Sequence, residues 1–222
     1  MSRNFVAAST QYLSATVTPP ATDVPITMAC WFRHASAVTV TPFTIADTAN
    51  VNRRFIITLR NTLVVRIAQH DGATNGQADT TATYSLNVWN HACAVFSADN
   101  SRTVYLNGAN SVTNTTNAAG SMAALNSIAV GRINNSTPAN YMNGDIAEVA
   151  MWNVALNATE VAALAAGTNP RLIRPENLQL YYPLYGEASP ETNLGLGGST
   201  YNLTLTNTPT TGPHAPVSPP SY

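Results

Sequence analysis

Apolar and small or polar residues alternate along this chain in short runs that break at Asn, Gly, Asp, Ser and Pro. The clearest runs are residues 26–32, 54–59, 63–68, 91–96, 103–106 and 146–152. A period of two is that of a strand with one face in a core and the other facing water. The pattern therefore predicts an all-β chain of two stacked antiparallel sheets. Asn107-Gly108 and Asn143-Gly144 offer the positive φ angles that tight hairpins need, so each predicts a turn between strands.

One segment departs from this period. Residues 157–166 predict a short helix, with Asn157 as N-cap, Glu160 at the capping-box position and Gly167 as the stop. Val161, Leu164 and Ala165 give it one apolar edge. Residues 178–184 and 201–206 predict two further strands. Residues 211–222 carry prolines and small residues without a core pattern, and predict an extended Pro-rich tail. All-β sandwiches of this length are commonly single units, so residues 1–210 are expected to form one domain.

Composition narrows the function classes. Apolar residues make up 45% of the 222 and charged ones only 9%, so the polar surface must be built largely from Thr, Asn and Ser. The net charge is −1, there is no Lys, and the ten Arg look scattered, which argues against a nucleic-acid partner. No apolar run approaches the roughly 20 residues of a membrane span, and Met1 to Thr10 does not read as a secretory signal. Cys30 and Cys93 fall within predicted strands and read as small buried hydrophobes, with no C-x-x-C pair in the chain.

From Trp89 to Leu164 the chain resembles the laminin G-like domains of the concanavalin A-like superfamily. The resemblance is carried by Trp89 and His91; by Tyr105-Leu106-Asn107-Gly108; by Gly144, Ile146, Glu148 and Val149; and by Ala155, Leu156, Glu160 and Val161. It implies a two-sheet antiparallel jelly-roll sandwich. Residues 178–206 are similar to the segment that usually opens such domains, which implies a permuted order in which they supply closing strands, with the helix packed at one end. The layout also looks like laminin G-like proteins of tailed bacteriophages. That likeness implies a non-enzymatic protein on the virion surface, a capsid decoration or fibre-like module with a capsid or other virion protein as its partner. The alternative is a carbohydrate-binding lectin or adhesin, with surface glycans as partners. The uncharged faces suit a homo-oligomer.

Catalytic residues are not expected. Glycoside hydrolysis needs two carboxylates flanking one bond, and the Glu-x-Asp-x-x-Glu run of glucanases on this fold is missing. Asp145 and Glu148, three apart, should project to opposite faces of a strand. Relatives often hold a rim calcium ion, but Ala147 stands where many carry Asp. The loop acids Asp47, Asp71, Asp79 and Asp99 read as turn formers, so no metal or other cofactor is assigned. Trp31, Trp89 and Trp152 are expected in the core. Tyr12, Tyr141 and Tyr185, near turns, are the candidate glycan contacts.

Overall fold

The computed structural model describes residues 1–186 and 189–218. Its strands are β1 (Ser2–Phe5), β2 (Tyr12–Thr16), β3 (Ile26–His34), β4 (Val40–Ala46), β5 (Arg53–Leu59), β6 (Val65–Asp71), β7 (Asn75–Asp79) and β8 (Asn90–Ala98). They continue with β9 (Ser101–Leu106), β10 (Ala109–Asn114), β11 (Ser127–Val130), β12 (Gly144–Trp152), then helix α1 (Ala158–Ala165), β13 (Leu178–Tyr182), β14 (Thr204–Thr206) and β15 (Thr210–Gly212). An eight-stranded sheet runs β10-β9-β8-β3-β12-β1-β15, with β13 also paired to β12; a seven-stranded sheet runs β14-β2-β11-β4-β5-β6-β7. The expected all-β antiparallel sandwich of the concanavalin A-like kind is what the chain forms.

β3 shows how sequence becomes layer. Ile26, Met28, Cys30 and Phe32 point between the sheets and join Phe43, Phe55, Phe96, Ile146 and Tyr182 in the main core. Ala29 and Trp31 point the other way, into two smaller apolar clusters on the outer face of the eight-stranded sheet. Because Ala29 pairs with Cys93, Cys93 lies on that outer face while Cys30 lies in the core. Both cysteines are buried free thiols, and burial raises the pKa of each.

The helix forms where expected. Asn157 Oδ1 accepts from the Glu160 amide at 3.0 Å and Glu160 Oε2 accepts from the Asn157 amide at 2.8 Å, a complete capping box. Its position differs from the expected end of the sandwich. Val161 and Leu164 lie over Ala29, Cys93, Ala150, Trp152 and Tyr181 on the outer face of the eight-stranded sheet. An apolar patch there outweighs an end position because it buries both helix residues.

The C-terminal segments divide between the sheets. β13 pairs with β12 and β14 with β2. The expected tail is extended but docked: β15 pairs with β1, Ala215 is buried against Trp31 and Ala147, and the Ser218 amide donates to Gly167 O at 2.9 Å. Residues 219–222 lie outside the described residues.

The two predicted turns part ways. Asn107 and Gly108 both have positive φ and join β9 to β10. Gly144 is instead the first residue of β12, paired with Phe5 and His34. Its φ is +131°, and a Cβ there would meet Arg33 O at 2.2 Å. Close strand approach, not a hairpin, explains this glycine.

Candidate functional site

On β5, Phe55, Ile57 and Leu59 fill the core, so Arg54, Ile56 and Thr58 project from the outer face of the seven-stranded sheet, and Arg60 continues that side. The register Thr58↔Arg66 and Ile56↔Ala68 sets β6 beside them, and Ala68↔Gln77 adds Gln77 and Asn75 of β7. A loop after β11 folds back across this face. Thr44 Oγ1 donates to Arg132 O at 3.1 Å, Asn134 Nδ2 to Ser127 Oγ at 2.6 Å, and Asn135 Nδ2 to Val51 O at 2.6 Å. An isolated bridge between Ile133 and Ala139 braces the loop.

The result is a shallow, open groove. Ile56, Thr58 and Ala68 make its floor, Ile133 and Asn140 one wall, and Asn75 and Gln77 the far rim, with Arg54, Arg60 and Arg66 among them. Arg66 is neutralised by a two-pronged contact in which Nε and Nη2 each lie 2.6 Å from an Asp79 oxygen. That hydrogen bonding holds its guanidinium above the ordinary pKa despite partial burial. Arg54 donates to the Val51 carbonyl, its Nε is buried without a partner among the described residues, and burial lowers its pKa. The Arg60 side chain makes no hydrogen bond or ion pair among the described residues.

Beyond the loop wall, two of the three nominated tyrosines come together. Arg132 lies with Cζ 3.4 Å from the Tyr12 ring centre and 5.9 Å from that of Tyr141, and the two rings are 6.3 Å apart. Tyr185 lies elsewhere, against the His214 ring at 5.0 Å. Arg54, Arg60 and Arg66 were not singled out from the sequence, where the arginines read as scattered. The spacing Arg54-x-Ile56-x-Thr58-x-Arg60 is the signal that places two of them on one strand face.

On the opposite sheet, Asp145 and Glu148 correct an expectation. β12 carries a β-bulge between Ala147 and Ala150, and Glu148 has φ +53°. The extra residue cancels the alternation, so both acids point to the outer face. Asp145 accepts from Arg33 Nε at 2.8 Å, Asn4 Nδ2 at 3.1 Å and Ser2 Oγ at 3.3 Å. Glu148 accepts from Tyr181 OH at 2.7 Å and meets His214 Nε2 at 2.8 Å. Each is only 2% exposed, and each is already saturated by donors.

The acids expected in loops are likewise engaged, although Asp71 and Asp79 are the last residues of β6 and β7 and not loop residues. Asp47 pairs with Arg53 at 2.7 Å. Burial tends to raise the Asp71 pKa, but the amides of Thr74, Ala73 and Gly120 outweigh it and hold the carboxyl below its ordinary value. Among the described residues no group of three His, Cys, Asp or Glu side chains is placed to hold a metal ion. Trp31 and Trp152 are buried, under the C-terminal segment and α1 respectively, on the outer face and not between the sheets; Trp89 is partly buried beside Trp31.

A laminin G family profile, described as the concanavalin A-like lectin/glucanases superfamily, matches residues 7–162. The chain belongs to this superfamily. Among solved structures, this superfamily member is similar to a heptameric SAP-like pentraxin from Limulus polyphemus, at 19% identity and TM-score 0.58 over 70% of this chain and 75% of that one. It is similar to the CBM40 of the Ruminococcus gnavus IT-sialidase bound to α2,3-sialyllactose, at 16% identity and TM-score 0.57 over 63% of this chain and 82% of that one. A Bacteroides ovatus protein named as a candidate for carbohydrate binding gives 18% identity and TM-score 0.62 over 97% of this chain and 61% of that one. No curated protein matches.

Proposed function

We propose that this chain is a carbohydrate-binding, lectin-like module without catalytic activity, and that the groove over β5–β7 is its glycan site. The observation that carries the reading is the groove's make-up. Ile133, with the edges of Ile56 and Ala68, offers a narrow apolar strip to a sugar ring, while Asn75, Gln77, Asn140 and the guanidiniums are polar groups that can fix orientation. The similar solved structures, a sialidase CBM40 and a carbohydrate-binding candidate among them, support this lectin reading over display on a virion surface. The non-catalytic part rests on Asp145 and Glu148, each buried and each already bonded to donors: Asp145 at the edge of a small polar pocket with Arg33 and Asn4, Glu148 with Tyr181 and His214.

The test is a glycan array followed by calorimetry on the retained sugars, using the full chain and an Asn75→Ala/Gln77→Ala variant. The reading expects retention of at least one glycan class, loss of affinity in the variant and no sugar released. Failure of the folded protein to retain any glycan contradicts it.

A further inference from the structure

Five of the ten guanidiniums in this protein are answered by carboxylates among the described residues. Arg3 pairs with Glu191, Arg33 with Asp145, Arg53 with Asp47, Arg66 with Asp79 and Arg174 with Glu160. The groove holds two of the guanidiniums that are not so answered. It gathers Arg54, Arg60 and Arg66 in one concavity, and among the described residues only Arg66 of the three has an acid partner. Arg60 is without a side-chain bond among the described residues, and the buried Nε of Arg54 has none either. His70, paired across from Arg54 on β6, is held below its ordinary pKa first by burial and then by the Arg54 charge. A partly desolvated, uncompensated cation is costly to hold, and an arriving anion offsets that cost.

We infer that the groove selects carboxylate-bearing sugars, with the acid group of a hexuronic or nonulosonic residue seated on Arg60, the ring on the groove floor, and Arg54 at the far end of the strand face adding to the positive potential. The inference rests on the glycan reading of the groove and adds the charge class of the ligand. A planar guanidinium fork matches a carboxylate in a two-bond contact, which an ammonium would not provide. The buried Ile56 and Ala68 with Ile133 supply apolar surface that a bare inorganic anion would not use. Arg66, saturated by Asp79, stays as a fixed wall. Asn75 and Gln77, joined by an Asn75 Nδ2 to Gln77 Oε1 bond of 3.1 Å, keep their remaining donors and acceptors for ring hydroxyls of either a neutral or an acidic sugar.

Calorimetry on the full chain separates the outcomes. The probes are a glucuronic acid-bearing oligosaccharide, an N-acetylneuraminic acid-bearing one, the methyl ester of each and a neutral oligosaccharide. At least one acidic probe is expected to bind, with its methyl ester and the Arg60→Ala variant each weakening it about tenfold or more. Asn75→Ala/Gln77→Ala should weaken acidic and neutral sugars alike. Thermal melts check folding; the Arg60 side chain forms no hydrogen bond or ion pair among the described residues, so the melt of Arg60→Ala should shift little. Esters and neutral sugars binding as well as the acids, with Arg60→Ala silent, would overturn the charge class while leaving the glycan site standing. An acidic sugar that binds equally to both variants would overturn the location. No binding by any probe would overturn the inference, and the glycan reading falls with it only if a full array is also blank.

Discussion

Acidification should destabilise this protein through one buried imidazole. His91 sits near the start of β8, 2% exposed, with its ring 5.3 Å from Trp31 and its Nδ1 without a partner among the described residues. Burial pulls its pKa from the ordinary 6.5 down to about 3. The sign follows from linkage. As pH falls below 6.5 the unfolded chain takes a proton that the folded chain refuses, so the stability contribution is complete above 6.5 and is lost progressively down to about 3. At about 1.4 kcal/mol per pH unit, the loss between pH 7 and pH 5 comes to about 2 kcal/mol, and the full window to about 5 kcal/mol. Urea unfolding of wild type and His91→Gln at both pH values reads this difference. The variant should be less stable at pH 7 yet lose about 2 kcal/mol less than wild type on going to pH 5. Parallel losses in the two proteins, or an imidazole seen by NMR to titrate near 6.5 in the folded state, would refute the reasoning.

Other consequences can be checked on the same protein. Glu148→Ala strips the Tyr181 hydroxyl and His214 of their shared acceptor, and should lower the unfolding free energy by about 3 kcal/mol in chemical denaturation. A cost below about 0.5 kcal/mol would mean the bulge acid is dispensable. Truncation after Gly212 removes Ala215 and Val217 from over Trp31 and Trp89, so tryptophan emission should shift to the red. An unchanged spectrum would show that the segment does not cover them. Cys30 and Cys93, buried and with raised thiol pKa values, should be inert to an aromatic disulfide reagent until urea unfolds the chain. Prompt reaction of either one under native conditions would contradict the packing.

The legible parts of the fold were those with local causes. β3 announced itself by alternation, the β9–β10 turn by Asn107-Gly108, and α1 by Asn157 and Glu160. Strands without such marks were missed. β7 reads Asn-Gly-Gln-Ala-Asp, the composition of a turn, and is a strand because β6 pairs with it. β4 carries Pro42 and two threonines, yet it is buried throughout because it lies between β11 and β5. The docking of residues 213–218 was hidden by proline content; it depends on the small Ala215 fitting beside Trp31 and on His214 reaching Glu148.

The candidate site was legible only in fragments. Tyr12 and Tyr141 were named for their exposed setting, but what brings them together is the loop after β11, whose Arg132 lies against both rings. No residue spacing encodes that loop's path, which is set by hydrogen bonds to β4 and β11. Arg66 is set beside Thr58, on the strand face that carries Arg54 and Arg60, by the antiparallel register of β5 and β6, a pairing that a linear reading does not supply. The faces of Asp145 and Glu148 were misread for a related reason: a bulge adds one residue and reverses the parity on which alternation depends.

Amide chemical-shift mapping with a carboxylated oligosaccharide puts the whole account at risk in one titration. Shifts should gather on β5, β6, β7 and the loop around Ile133 and Asn140, with the sugar recovered intact. Shifts centred instead on Asp145 and Glu148, or cleavage of the sugar during the titration, would contradict it.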